Sequence, residues 1–194
     1  MLPEYFVYIG VIITALGGIS YLIDTIKGKV QPNRVTWVLW ALAPWITFFA
    51  QRVQSVGSQS LLPLSIGFIP TLIVAASFLN KKAKWEIHRF DLICGGLSIL
   101  GLILWLITRA GDIAIIFSIL ADFLATIPTL RKAHLSPETE SFKAYFLNML
   151  GAGIVVLAIH DWRFANAAFS VYFLLNTVLI LTFLKFRFGK KSSS

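Results

Sequence analysis

The sequence predicts an all-α integral membrane protein with seven transmembrane helices, two parallel three-helix repeats joined by a linker helix. Three observations predict it. The 194 residues are 57% hydrophobic and only 13% charged, against about 25% charged in an ordinary soluble domain, and mean hydropathy is +0.79. The apolar residues fall into seven runs of roughly spanning length. Segments of the first half match segments of the second at a nearly constant offset.

A helix crossing the hydrocarbon core of a bilayer needs about 17–25 mostly apolar residues. The seven runs cover 5–25, 35–51, 60–80, 91–108, 112–131, 142–159 and 164–185. The first has no positively charged leader and no small-residue cleavage site, so it reads as a retained helix, not a signal peptide. The second and sixth have the shortest uncharged cores. The connections are short. This divides the chain into a first triple-helix repeat at 1–80, a linker loop and fourth helix at 81–110, a second repeat at 111–188 and a polar tail at 189–194.

The net charge of +8 does not point to nucleic acid, because the basic residues cluster between apolar runs, where they meet lipid headgroups. With seven spans, one side of the membrane carries Lys27, Lys29, Arg34, Lys81, Lys82, Lys84, Arg89, Arg131, Lys132, Lys143, Lys185, Arg187, Lys190 and Lys191. The other carries only Arg52, Arg109 and Arg163. The positive-inside rule then puts the N-terminus outside and the C-terminus in the cytoplasm, with the cell membrane as the expected location. The single cysteine, Cys94, excludes an intrachain disulfide. A homo-oligomer is compatible with the sequence.

The repeat is visible residue by residue. A shift of 104 lays "IGVIITALGG" (9–18) over "IAIIFSILAD" (113–122) and "DTIK" (24–27) over "PTLR" (128–131). At a shift of 105, Pro32 meets Pro137, Thr36 meets Ser141, Trp37 meets Phe142 and Trp40 meets Tyr145. At the same shift Ser65 meets Ser170, Phe68 meets Phe173 and Thr71 meets Asn176. Membrane helices resemble one another by composition, but three successive segments holding one offset, with polar and loop residues included, argue for duplication. The first helix of each copy runs in the same direction, so the copies are parallel and the fourth helix restores direction. Parallel repeats are a transporter architecture.

On these residues the chain resembles the SWEET and PQ-loop superfamily of 3+1+3 membrane proteins. Where that family has a Pro-Gln pair followed by a basic residue, this chain has "IPTLRKA" (127–133), with Thr129 for the glutamine, and "IDTIKGK" (23–29), with neither residue. The Trp37–Trp40 spacing is also similar to the WxxW of the PnuC vitamin transporters, which share the 3+1+3 plan. The resemblance implies a transporter or facilitator for a small, polar, sugar-like solute working by alternating access, or a PnuC-like vitamin or nucleoside facilitator. The same scaffold also serves non-transporting receptors, so a seven-helix receptor or assembly factor is the alternative.

Asp122 is the most informative residue. It lies mid-span in "SILADFLAT", where a carboxylate costs about 2.5–3.5 kcal/mol on insertion scales. It marks either a cavity, where it would allow proton coupling, or a packing hydrogen bond. Asn176 is mid-span too. The resemblance implies a substrate contact for it and, as its repeat mate, for Thr71. Asn148 is a further candidate, and each of these also fits plain interhelical hydrogen bonding. Trp37 and Trp40 lie near the cytoplasmic interface, where Trp anchors are common. Trp40 and Tyr145, at matching positions, are candidates for a paired gate with Trp37, and Trp45 for a pocket wall. Pro44, Pro70 and Pro128 break three spans and are candidate hinges. One ionisable side chain in the membrane core leads us to expect an uncharged solute. His88, His134 and His160 have no metal-site spacing, no nucleophile–base pair is visible, and neither enzyme activity nor a cofactor is expected.

Overall fold

A computed structural model of the chain describes residues 1–79, 87–93, 96, 99, 103, 107 and 111–185. Most of the expected fourth span, the Lys81–Lys84 cluster and the 189–194 tail lie outside the described residues. Those described within the fourth span are helical. All regular structure among the described residues is helical. Six complete helices are α1 (Phe6–Ile26), α2 (Arg34–Val53), α3 (Leu61–Leu79), α4 (Gly111–Leu135), α5 (Phe142–Leu157) and α6 (Phe164–Lys185). Among the described residues four segments are long and apolar enough to cross a membrane: Phe6–Ile26, Ser58–Leu79, Gly111–Leu135 and Phe164–Lys185. At 1.5 Å per residue the 21 residues of α1 span about 31 Å, close to the thickness of a bilayer core. The other two, α2 and α5, are the pair with the short uncharged cores.

The six helices close into a ring. α3 packs between α1 and α2, α6 packs between α4 and α5, and the ring is completed by α1 against α5 and α2 against α4. The sides of α1 explain why the bundle belongs in lipid. Its buried positions are Val7, Gly10, Thr14, Gly17, Tyr21 and Thr25. Its exposed ones include Tyr8, Ile12, Leu16, Ile19, Ile23 and Ile26. The small and polar residues face inward and the large aliphatic ones outward, which reverses a water-soluble bundle and suits helices packing in a bilayer.

The α1–α5 contact is the tightest. A Cβ on Gly10 would lie 2.6 Å from the Gly151 carbonyl oxygen, and one on Gly17 2.8 Å from that of Ala144. Backbone meets backbone along this seam. The two ends of the bundle are distinct. At one, Gln31 N donates to Thr139 O at 3.0 Å, joining the α1–α2 and α4–α5 connections. At the other, Leu2 N donates to Leu157 O at 2.9 Å.

Local sequence sets the helix starts at the first end. The Asn33 side chain caps α2, accepting from Val35 N and Thr36 N, as an asparagine N-cap does. The α5 cap position, Ser141, instead reaches Asp24 at 3.3 Å. α4 runs four residues beyond the 131 expected from hydropathy. Its last turn is basic, which suits a helix C-terminus, and Lys132 there is buried against a partner that a hydropathy window does not register.

Candidate functional site

A cavity of about 50 Å³ lies inside the ring, lined by Asp122, Asn176, Asn148, Tyr21, Trp37, Trp40 and Tyr145 among others. It has space for a water or two, well short of the roughly 300–1,000 Å³ of a drug-sized ligand site.

One wall is built by two residue pairs, each four apart and so on one helix face. Asp122 and Thr126 of α4 meet Tyr172 and Asn176 of α6. Tyr172 donates its hydroxyl to Asp122 Oδ2 at 2.6 Å, and Asn176 Nδ2 donates to Thr126 Oγ1 at 3.0 Å. Trp40 reaches over from α2, its Nε1 donating to both Asp122 O and Thr126 Oγ1 at 3.3 Å. Thr126 donates its own proton to Asp122 O at 2.9 Å. A hydroxyl has one proton and two lone pairs, so Thr126 can only accept from Asn176. With that proton on Asp122 O, the amide has its nitrogen toward Thr126 and its Oδ1 elsewhere.

Five cavity-lining residues keep a buried polar atom that no protein group among the described residues meets: Asn176 Oδ1, Asn148 Oδ1, Thr14 Oγ1, Ser65 Oγ and Trp37 Nε1. Buried polar groups are ordinarily paired, because an unmade hydrogen bond costs about 1–3 kcal/mol. Pro70 also lines the cavity. Having no N–H, it removes the donor that the carbonyl of Ile66, another lining residue, would otherwise receive.

Four aromatic rings close the cavity toward the end that holds the α1–α2 and α4–α5 connections. Ring centroids lie 4.4 Å apart for Tyr21–Trp37, 5.2 Å for Trp37–Trp40, 6.5 Å for Trp40–Tyr145 and 6.1 Å for Tyr145–Tyr21. Both tyrosine hydroxyls donate to Glu140 Oε2. Its other oxygen pairs with Lys132 Nζ at 2.7 Å, both side chains fully buried. Lys132 also donates to the carbonyls of Gln31 and Thr139. One buried ion pair thus ties together α1, α4, α5 and both connecting loops.

Of the residues singled out from sequence, Asp122, Asn176, Asn148, Trp37, Trp40, Tyr145 and Pro70 meet at this cavity. Thr71 does not: it is exposed and donates to Gly67 O of its own helix at 2.8 Å. Trp45 does not line it either. It packs on Gly67, where a Cβ would lie 3.1 Å from its ring, and stacks with Phe49. Pro44 is buried in α2 away from the cavity, and Pro128 borders a separate pocket of about 30 Å³ with Arg131 and His88. Tyr21, Thr126, Lys132, Glu140 and Tyr172 were missed. A Lys and a Glu bracketing the Pro137 turn, and the i, i+4 spacing of Tyr172 to Asn176, were the available signals.

In comparisons with protein-family models, curated proteins and solved structures, nothing matches the chain.

Proposed function

We propose that the chain is a membrane transporter that moves a small polar solute by alternating access around the central cavity. The observation that carries this is the set of unpaired buried polar atoms of Asn176, Asn148, Thr14, Ser65 and Trp37 gathered at one cavity. A bundle needing only to be stable would pair them. The cavity is small, so the solute enters by parting the helices.

The parallel-repeat architecture belongs to this proposal. Its support is the ring of contacts, in which α1–α3–α2 and α4–α6–α5 have the same internal order and the first helix of each triple packs on the second helix of the other. Pairs of residues related by the 104–105 offset also have related surroundings. Thr14 and Ser118 both lie at a crossing between triples, Ser118 bonding Thr47 at 2.8 Å. In this scheme the helical residues described at 91–93, 96, 99, 103 and 107 belong to the linking span. The end holding Lys132 and Glu140 is cytoplasmic, and the Tyr21–Tyr145–Glu140 group with Trp37 and Trp40 is the cytoplasmic gate.

The test is uptake and efflux in proteoliposomes with a panel of sugars, amino acids and nicotinamide riboside, with and without a pH gradient. Flux of one class, lost in Asn176→Leu, supports transport. Absence of flux for every solute, with no solute raising the melting temperature, sinks it.

A further inference from the structure

We infer that the ligand of the central cavity carries a small ammonium group, seated between Asp122 and the four rings of Tyr21, Trp37, Trp40 and Tyr145. This rests on the reading of that cavity as the solute site and departs from the uncharged solute expected from sequence.

The first argument is hydrogen-bond sense. The Thr126 network leaves Asn176 presenting its carbonyl oxygen, unpaired, from a side chain 4% exposed. Asp122, 3% exposed, gives one oxygen to Tyr172 and makes no hydrogen bond with the other. Asn148 Oδ1 is unpaired as well. Three unpaired acceptors therefore line the cavity beside one unpaired donor, Trp37 Nε1, and the hydroxyls of Thr14 and Ser65 can act in either sense. Acceptors outnumber donors, so the site favours a ligand that brings more donors than acceptors.

The second is charge. No basic side chain among the described residues pairs with Asp122, and a carboxylate out of water is costly until a proton or a cation meets it. A neutral polyol offers no such compensation.

The third is the ring cluster. Aromatic faces attract ammonium groups, by about 2 kcal/mol or more when desolvated. Here two of the four rings are phenols whose protons are held by Glu140, which leaves them richer in electrons. The cavity of about 50 Å³ in the closed bundle has space for a head the size of a primary ammonium.

The experiment measures binding to the full chain in nanodiscs, by Trp fluorescence and by thermal shift, with two probes of one shape. Ethanolammonium and ethylene glycol differ only in an ammonium for a hydroxyl, and glucose is the third arm. We expect ethanolammonium to bind at least about tenfold more tightly than ethylene glycol. Asp122→Asn should abolish that preference, Trp37→Leu should reduce it if Asp122→Asn does not fold, and Trp45→Leu should leave it intact. Equal binding of the two probes, binding of neither, or a preference that survives Asp122→Asn overturns the inference. Glucose flux without ammonium preference overturns it while leaving the transporter standing. Ammonium preference with no flux of any solute does the reverse.

Discussion

Tyr21 of α1 and Tyr145 of α5 donate to the same carboxylate oxygen, Glu140 Oε2, at 2.9 and 3.0 Å. The two rings line the cavity and the carboxylate lies on its loop side, ion-paired to Lys132. Parting α1 from α5 at this end means that at least one hydroxyl releases Glu140. The contact is therefore suited to a latch: it is made of directional bonds that are lost together, and it holds helices that both proposed triples supply.

Removing one member of a buried ion pair strands the other, at a cost of about 3–5 kcal/mol. Glu140→Ala and Lys132→Ala are each expected to lower the melting temperature in detergent sharply. The combined Lys132→Met/Glu140→Gln variant, which removes both charges and keeps an acceptor for the tyrosines, should recover most of the loss. If the double variant is as unstable as the singles, the pair matters for something besides its charge.

The α1–α5 seam makes a paired prediction about two glycines on one helix. A Cβ on Gly151 would overlap the Gly10 carbonyl and Thr14, whereas one on Gly153 would sit 3.9 Å from Leu174. Gly151→Ala should destabilise by about 1–3 kcal/mol, as overpacking does. Gly153→Ala should be neutral or stabilise by roughly 0.5–1 kcal/mol, from the helix preference alone. Melting curves of the two variants in the same detergent decide it.

The helical, membrane-spanning character was legible in the sequence because lipid imposes one rule on every span, and an apolar run of the right length announces itself. Mid-span polar residues were legible for the same reason: Asp122 and Asn176 stand out against leucine and isoleucine, and both meet the cavity. What stayed hidden lies where that contrast fails. Lys132 reads as one more basic residue at a membrane edge, Glu140 as part of a polar turn, and Tyr21 as one more apolar-run aromatic. Only the folding of the 136–141 turn under α1 brings the three together. The repeat offset also misled at one position. It lent Thr71 the importance of Asn176, but Thr71 has a hydroxyl that its own helix backbone satisfies, and a side chain too short to need another partner.

That contrast can be measured. Asn176→Leu removes the free acceptor and the Thr126 bond, and should lower uptake or ligand affinity by about tenfold or more, the equivalent of one lost ligand hydrogen bond with a burial penalty. Thr71→Val should change either by less than about twofold, since the residue neither lines the cavity nor bonds another helix. Equal losses in the two variants would place the solute path elsewhere.

The charge asymmetry predicts which end of the bundle meets the cytoplasm. Lys29, in the α1–α2 connection, and Arg163, before α6, are both exposed and lie at opposite ends of the bundle, since the α1–α2 connection joins the α4–α5 turn and the α5–α6 connection follows Leu157 near the N-terminus. In a Cys94→Ser background, Arg163→Cys should react with a membrane-impermeant maleimide added to intact cells, and Lys29→Cys should react only after the membrane is opened. The opposite pattern would invert the bundle and turn the Lys132–Glu140 latch outward. It would leave the cavity and its unpaired acceptors as they are, so the direction of gating can be overturned without touching the case for a solute site.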